Sequence, residues 1–112
     1  MGLKIDEALA VHAQALGLHI QRTEILAANL ANESTPGFQA RDLDFASEMR
    51  RHSSPGQSQL MYRVPTQPAQ DGNTVEVSIE QAAFAKASQD FQASLTFLNM
   101  KLRGLKQAIE GR

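Results

Sequence analysis

Two histidines near the N-terminus are the residues best suited to bind a metal ion or transfer a proton. His12 and His19 are seven positions apart, so on a helix they share a face but lie about 10 Å from each other along the axis. Helical zinc pairs use a spacing of three or four residues, which brings both imidazoles to one ion. We therefore interpret both as half-buried residues of a helix seam. His52 lies in a polar stretch, where we expect it to be solvated.

Two aspartates in the middle of the chain are the other candidates for chemistry. Asp42 and Asp44 follow Arg41 closely, and paired carboxylates can act as general acid and base. Aspartate is also a favoured helix N-cap, and a short helix from Asp44 to Arg51 would begin beside them. We interpret the two acids as helix caps that also pair with Arg41.

The composition excludes several classes of function. The chain has 112 residues, a net charge of −1 and no cysteine, which leaves no disulfide or thiolate metal site. Its basic residues are scattered, so we expect no nucleic-acid partner. No nucleophile elbow, phosphate loop or zinc motif occurs, and we expect no enzyme activity, catalytic residue, cofactor, metal or small-molecule substrate. Asp6 and Glu7 interrupt any signal-peptide apolar stretch.

The positions of the prolines divide the chain into three parts. All of them lie between Glu33 and Val75, so long helices are permitted on both flanks. The sequence predicts a mainly α protein whose long N- and C-terminal helices pack as a coiled-coil-like hairpin. We divide it into residues 1–32 (N-terminal helix), 33–77 (loop-rich central segment) and 78–112 (C-terminal coiled-coil helix). The Pro-rich central segment is predicted to hold the short helix and short extended strands at 61–64 and 74–77, with 53–59 the most mobile part.

The C-terminal flank has the clearest periodicity. Apolar residues recur every seven positions in two offset series, which is the pattern of a coiled-coil seam. Ser78 followed by Gln81 resembles a capping box, so we predict a helix from Ile79 to Glu110. The apolar seam comprises Phe84, Phe91, Leu95, Leu98, Leu102, Leu105 and Ile109.

The N-terminal flank predicts a helix from Asp6 to Asn32. It has no charge between Glu7 and Arg22, and it is rich in alanine. A helix that is small and neutral nearly all round is usually buried on more than one side, so we expect several helical neighbours. Its predicted packing residues are Leu9, Leu16, Leu26 and Leu30. Gly17 and Gly104, inside the two helices, are predicted to allow close helix approach.

One segment is more specific than this periodicity. Leu26-Ala-Ala-Asn-Leu-Ala-Asn32, followed by Glu-Ser-Thr-Pro-Gly-Phe38, resembles the signature of flagellar basal-body rod proteins, in which an Asn-rich helix end leads into a Thr-Pro-Gly-aromatic turn. Asparagine can satisfy helix-end backbone groups, while proline stops the helix and glycine permits a sharp turn. The motif residues are Asn29, Leu30, Asn32, Thr35, Pro36, Gly37 and Phe38.

The resemblance extends along nearly the whole chain and is greatest to the proximal-rod member of the family. The matching segments are residues 39–45, 62–68, 71–75 and 91–98. It implies a subunit of a helical tube that transmits motor torque across the periplasm, with the two terminal helices lining the tube. The implied partners are copies of itself, other rod proteins, a FliE-like adaptor, the membrane ring and the export gate. It also implies export through the flagellar type III apparatus without a cleaved signal peptide.

Two other interpretations remain open from the residues alone. A cytoplasmic helical adaptor or export chaperone could share the striped helices and the small size. A small metalloenzyme would need a stoichiometric metal at His12 and His19. Whatever the function, a two-helix hairpin with a long Pro-rich insert has a thin core, so we expect the isolated chain to self-associate or to be partly disordered.

Overall fold

Three helices and a two-stranded ribbon make up the chain, in the order α1, β1, α2, β2, α3. The computed structural model describes residues 2–51 and 58–111, with side chains from residue 6 onward. The elements are α1 (Gly2–Ala31), β1 (Arg41–Asp42), α2 (Phe45–Arg51), β2 (Met61–Tyr62) and α3 (Val77–Glu110). The prediction of a mainly α protein with long terminal helices, a short central helix and short strands is confirmed.

The two long helices run antiparallel as a hairpin. Asn29 near the end of α1 meets Glu80 near the start of α3, and the His12 ring lies 4.6 Å from the Phe97 ring. The molecule is elongated, with principal extents of 64 × 24 × 18 Å. α1 contacts α3, α2 and β1. Among the residues whose side chains are described, few apolar ones are buried: Leu18, Leu26, Ala40, Leu43 and Ala87.

The strands form an antiparallel ribbon that lies beside α1. Arg41 faces Tyr62 and Asp42 faces Met61 in the register. The predicted extended segment 61–64 is therefore a strand only over its first two residues. The segment 74–77, also predicted to be extended, forms no strand, because Thr74 bonds the turn after α1 instead and α3 begins at Val77.

Both long helices begin earlier than the sequence predicted. α1 starts at Gly2 rather than Asp6, and α3 starts at Val77 rather than Ile79. Ser78 consequently lies inside α3, so the predicted Ser78–Gln81 capping box is wrong. The N-cap is Glu76, whose side chain makes no cap hydrogen bond because its carboxylate accepts the Thr66 N–H at 2.7 Å. At the other end, Gly111 adopts a left-handed φ of 70° and closes α3.

The short helix α2 is capped by one of the two aspartates predicted for this role. Asp44 accepts the Ser47 N–H at 3.3 Å and the Ser47 hydroxyl at 2.9 Å. These bonds hold the pKa of Asp44 below its usual range. His52 and residues 53–57 of the segment predicted to be mobile lie outside the described residues. None of the described helices combines the length and the apolar character needed to cross a membrane.

Candidate functional site

The apolar seam of α3 divides into an inner and an outer series. Phe84, Phe91, Leu98 and Leu105 are half-buried. Leu95, Leu102 and Ile109 are instead 38%, 46% and 76% exposed, so this series, which we call the outer stripe, opens progressively toward the end of α3. The outer stripe is an apolar surface that the chain itself leaves uncovered.

The innermost line of α3 consists of small and polar residues that the apolar pattern did not identify. Glu80 and Ala87 are fully buried, and Ser94, seven residues further on, is half-buried. An alanine at this position lets the two helix backbones approach each other. The spacing of seven residues between Glu80, Ala87 and Ser94 could have identified this line. The search for apolar residues selected the positions beside it instead.

The packing residues predicted on α1 are all at least half-buried. Leu26 is fully buried, whereas Leu9, Leu16 and Leu30 are half-buried. Leu18 is also fully buried, although the sequence reading did not select it. Its spacing of eight residues from Leu26, about two helical turns, was the signal that could have identified it.

The two histidines occupy separate aromatic contacts. His12 is tilted against Phe97, and His19 stacks on Phe45 with ring centroids 4.4 Å apart and an interplanar angle of 12°. Burial lowers the pKa of His19, so its stacked ring is favoured in the neutral form. Among residues 2–51 and 58–111, no three potential metal-ligating side chains lie close enough to hold an ion.

The close helix approach predicted at Gly104 does not occur between the two long helices of the chain. A Cβ added there would meet no atom within 4 Å, and the residue is exposed. Gly104 lies near the end of α3, between outer-stripe residues, where the hairpin does not cover it. Gly17 is half-buried in α1.

A polar core closes the end of the hairpin where the motif lies. The fully buried Asn29 amide donates to the Arg41 carbonyl at 2.6 Å and to Glu80 at 2.9 Å, and its oxygen accepts the Arg41 N–H at 3.0 Å. Both main-chain groups of Arg41 are thus satisfied by one side chain. The first asparagine of the motif therefore joins α1, β1 and α3.

Three further charged residues complete this polar core. Arg63 pairs with the buried Glu80 carboxylate and, at 3.0 Å, with Asp42. Asp42 also accepts two hydrogen bonds from Arg22, at 3.0 and 3.2 Å. The predicted pairing of Asp42 with Arg41 is wrong, because the Arg41 guanidinium lies over the Phe38 ring, 5.9 Å from its centroid. Alternation along β1 points neighbouring side chains to opposite faces, and only Asp42 faces the core.

The Thr-Pro-Gly-Phe turn is held against residues 71–75. Asn32 caps its own helix by donating to the Ala28 carbonyl at 2.8 Å, and it accepts the Thr35 hydroxyl at 3.0 Å. The buried Asn73 side chain donates to the carbonyls of Asn32 and Thr35, at 2.9 and 2.7 Å. The motif is therefore fixed by a second asparagine-centred set of bonds that lies outside the motif itself.

The backbone conformation of Gly37 and two main-chain hydrogen bonds fix the rest of the Thr-Pro-Gly-Phe turn. Gly37 has a φ of 75°, in the left-handed region that glycine adopts without a Cβ clash, and its N–H donates to the Asp71 carbonyl at 2.8 Å. Pro36 is exposed at the corner, and the half-buried Phe38 accepts the Thr74 N–H at its carbonyl, at 2.9 Å.

A buried glutamate in α2 was not identified from the sequence. Glu48 is almost fully buried, and its carboxylate accepts bonds from Arg51 and from the Gln59 N–H at 2.7 Å. The arginine three residues later was a weak signal for this pair. Glu48 therefore ties α2 to the segment that leads into β2.

Comparisons with known proteins identify relatives along nearly the whole chain. A family model described as "Flagella basal body rod protein" matches residues 9–39, which include most of α1 and the turn after it. The flagellar basal body rod protein FlgB of Salmonella typhimurium (strain LT2) is 41% identical, with 96% of each chain covered. The protein of the same name from Escherichia coli (strain K12) is 37% identical, with 96% of each covered. That from Cereibacter sphaeroides is 39% identical, with 94% of this chain and 95% of the relative covered.

Proposed function

Because the chain belongs to the FlgB family of flagellar basal body rod proteins, we propose that it forms the proximal end of the rod. As a member of this family, it is a structural subunit of the flagellar basal body rod. The proposal adds that copies pack helically around an axis and transmit torque from the motor. Residues 1–32 and 78–112 then form the rod core, and residues 33–77 contact neighbours along the tube.

The outer stripe of α3 is the observation that carries this proposal. Its leucines and isoleucine repeat every seven residues and lie 38–76% exposed. A continuous apolar series on one helix packs against another helix in a coiled coil. A head-to-tail contact of this kind joins two different surfaces and does not close, so it propagates as a helical assembly.

The proposed partners and location follow from the family. The chain would contact copies of itself and other rod proteins, together with a FliE-like adaptor, the membrane ring and the export gate at the proximal end. Its place would be the periplasmic part of the basal body, reached by flagellar type III export without a cleaved signal peptide. Basal-body fractionation tests this: recovery only in the cytosol would favour the adaptor or chaperone function instead.

Leu102→Asp tests the assembly surface directly. Leu102 is exposed in the isolated chain, so a charge there leaves the hairpin intact but would be buried in the packed tube. We expect unchanged circular dichroism, loss of the chain from purified basal bodies, and loss of swimming in soft agar. Leu98→Asp is a less selective test, because half-buried Leu98 belongs to the inner series and also packs within the hairpin.

A matched control adds the same charge away from the stripe. Gln92 is exposed on α3 and lies outside both apolar series, so Gln92→Asp should leave incorporation and swimming normal. Normal swimming of the Leu102→Asp strain would refute assembly through this stripe.

A further inference from the structure

The outer edge of β2 carries main-chain groups that point away from β1. The Arg63 N–H donates to the Ala40 carbonyl at 2.9 Å, and Arg41 faces Tyr62 in the register. Consecutive residues of an antiparallel pair point their N–H and C=O groups to opposite edges. The N–H and C=O of Tyr62 therefore point outward, and no hydrogen bond within the described part of the chain satisfies them.

The opposite edge of the ribbon is already occupied. The Asn29 side chain donates to the Arg41 carbonyl and accepts the Arg41 N–H, as the main chain of a neighbouring strand would. No further strand can pair with β1 at this point. Within residues 2–51 and 58–111, the ribbon consequently has one closed edge and one open edge.

The open edge is also apolar. Met61, Tyr62 and Val64 are 56%, 63% and 90% exposed, and Leu60 before them is exposed as well. An open strand edge with exposed apolar side chains is a template for pairing with another chain, and soluble proteins usually blunt such edges with charges or cover them. The chemistry of this edge fits an extended main chain with apolar side chains.

We propose that the outer edge of β2 binds an extended, proline-free segment of a different basal-body protein as a third strand. Pairing with the ribbon of a second copy would join the same open edge to itself, because the β1 edge is closed by Asn29. That contact is two-fold symmetric, whereas subunits that all point one way along a tube have no such relation. This step rests on the proposed helical assembly.

The side chains beside the edge define the partner segment further. A third strand pairs with β2 and not with β1, so its side chains would lie next to those of Met61 and Tyr62, which are exposed. The occupant is thus an extended strand with apolar side chains.

Tyr62→Pro tests the main-chain pairing. Proline removes only the outward N–H of this residue, so the bonds between β1 and β2 are retained. Tyr62→Thr is the matched control, since it changes the side chain but keeps the N–H. In cells lacking the native gene, we expect about tenfold less Tyr62→Pro chain in purified basal bodies than Tyr62→Thr chain, the factor that about one main-chain hydrogen bond represents. Equal incorporation of the two variants would overturn the proposal.

Photocross-linking identifies the occupant and does not depend on the proline variant folding. A benzophenone amino acid at position 62 keeps the main-chain N–H while it labels whatever lies against the edge. The expected product, from purified basal bodies, joins this chain to an extended, proline-free apolar segment of another basal-body protein. An adduct between two copies, an adduct on a proline-containing or helical segment, or the absence of an adduct would overturn the assignment.

The two experiments separate this inference from the proposed function. Loss of Leu102→Asp from basal bodies, together with normal incorporation of Tyr62→Pro, would leave helical assembly standing and refute the added strand. Normal incorporation of Leu102→Asp would refute assembly through the outer stripe instead. In either case, the cross-link at position 62 tests only whether another chain lies against the outer edge of β2.

Discussion

Asn29 uses both ends of its amide, a set of bonds that a carboxylate or a longer amide at this motif position could not reproduce. Its nitrogen donates to the Arg41 carbonyl and to Glu80, and its oxygen accepts the Arg41 N–H. Aspartate has nearly the same shape but no N–H to donate. Glutamine would carry the amide one carbon further from α1 and could not occupy the same site.

Asn29→Asp should therefore destabilise the chain severely. The substitution places a carboxylate beside buried Glu80 and leaves the Arg41 carbonyl without a donor. We expect the free energy of unfolding to fall by about 3 kcal/mol, measured by urea denaturation. Gln81→Glu, an isosteric charge change at an exposed position of α3, is the control and should change it little. Equal effects of the two substitutions would contradict the role of the polar core.

His19 makes the stability of the hairpin depend on pH. Burial lowers its pKa in the folded chain, so the unfolded chain binds the proton more tightly. This contribution is present above the ordinary histidine pKa and is lost as the pH falls from there toward the lowered value. We expect the melting temperature to decline on acidification from about pH 7.5 to 5.5 more than that of His19→Gln. His12→Gln, which leaves His19 in place, should retain the steeper decline.

At the residue scale, the sequence predicted the motif but only part of its bonding. Asn29 and Asn32 were expected to satisfy helix-end groups, and Asn32 does so within its own helix. The long-range partners, Glu80 and Asn73, could not be predicted, because their positions depend on how the chain returns across α1.

At the scale of elements, helix periodicity predicted both long helices but not which face of α3 packs against α1. A heptad pattern marks apolar positions without saying which of them face the same chain and which face another. The structure separates the two series by their exposure, and it puts Glu80 and Ala87 on the innermost line. A search for apolar residues does not select a buried glutamate. The apolar pattern therefore assigned the helix-packing face to the positions beside Glu80 and Ala87.

Ala87 provides a sharp test of the α1–α3 contact. It is fully buried, so Ala87→Leu would force the helices apart or distort their side chains. We expect a loss of about 1–3 kcal/mol in the free energy of unfolding. Ala85, two residues away on the exposed side of α3, is the matched control, and Ala85→Leu should be nearly neutral. If both substitutions were neutral, α1 and α3 would not pack through this line.

The capping of α2 can be tested at its first turn. Asp44 accepts both the N–H and the hydroxyl of Ser47. Asp44→Ala should lower the free energy of unfolding by about 1 kcal/mol, whereas Asp44→Asn retains a cap acceptor and should lower it less. Urea titrations of the three chains measure this. An alanine variant as stable as the native chain would show that α2 is held by Glu48 and its partners alone.

At the scale of the whole molecule, the chain has a thin core and a long uncovered apolar stripe. Few of the apolar side chains that the structure describes are fully buried, in a molecule 64 Å long. The sequence predicted this incompleteness from the small core that two helices and a Pro-rich insert can form. It could not predict that the fixed end of the hairpin is joined by ion pairs, because those connect residues far apart along the chain.

Self-association of the isolated chain is the expected consequence. Association stabilises the folded form by mass action, so the melting temperature should rise with protein concentration. Circular dichroism at two concentrations, with sedimentation velocity, measures both effects. Leu102→Asp should abolish the concentration dependence, while Gln92→Asp should retain it. A compact native monomer with a concentration-independent melting temperature would contradict this expectation.

The polar core and the most exposed part of the outer stripe lie at opposite ends of the hairpin. Asn29, Glu80 and Arg63 join the elements at one end, whereas Ile109 lies near the other and is 76% exposed. If neighbouring subunits pack on the outer stripe, as proposed, they hold the subunit near Ile109, whereas the polar core joins its elements at the other end. A lateral force applied near Ile109 would act on the polar core with most of the molecule's 64 Å length as its lever arm. The ion pairs of the polar core are directional, so they resist rotation of the two helices relative to each other. Apolar surfaces, which can slide, resist it less.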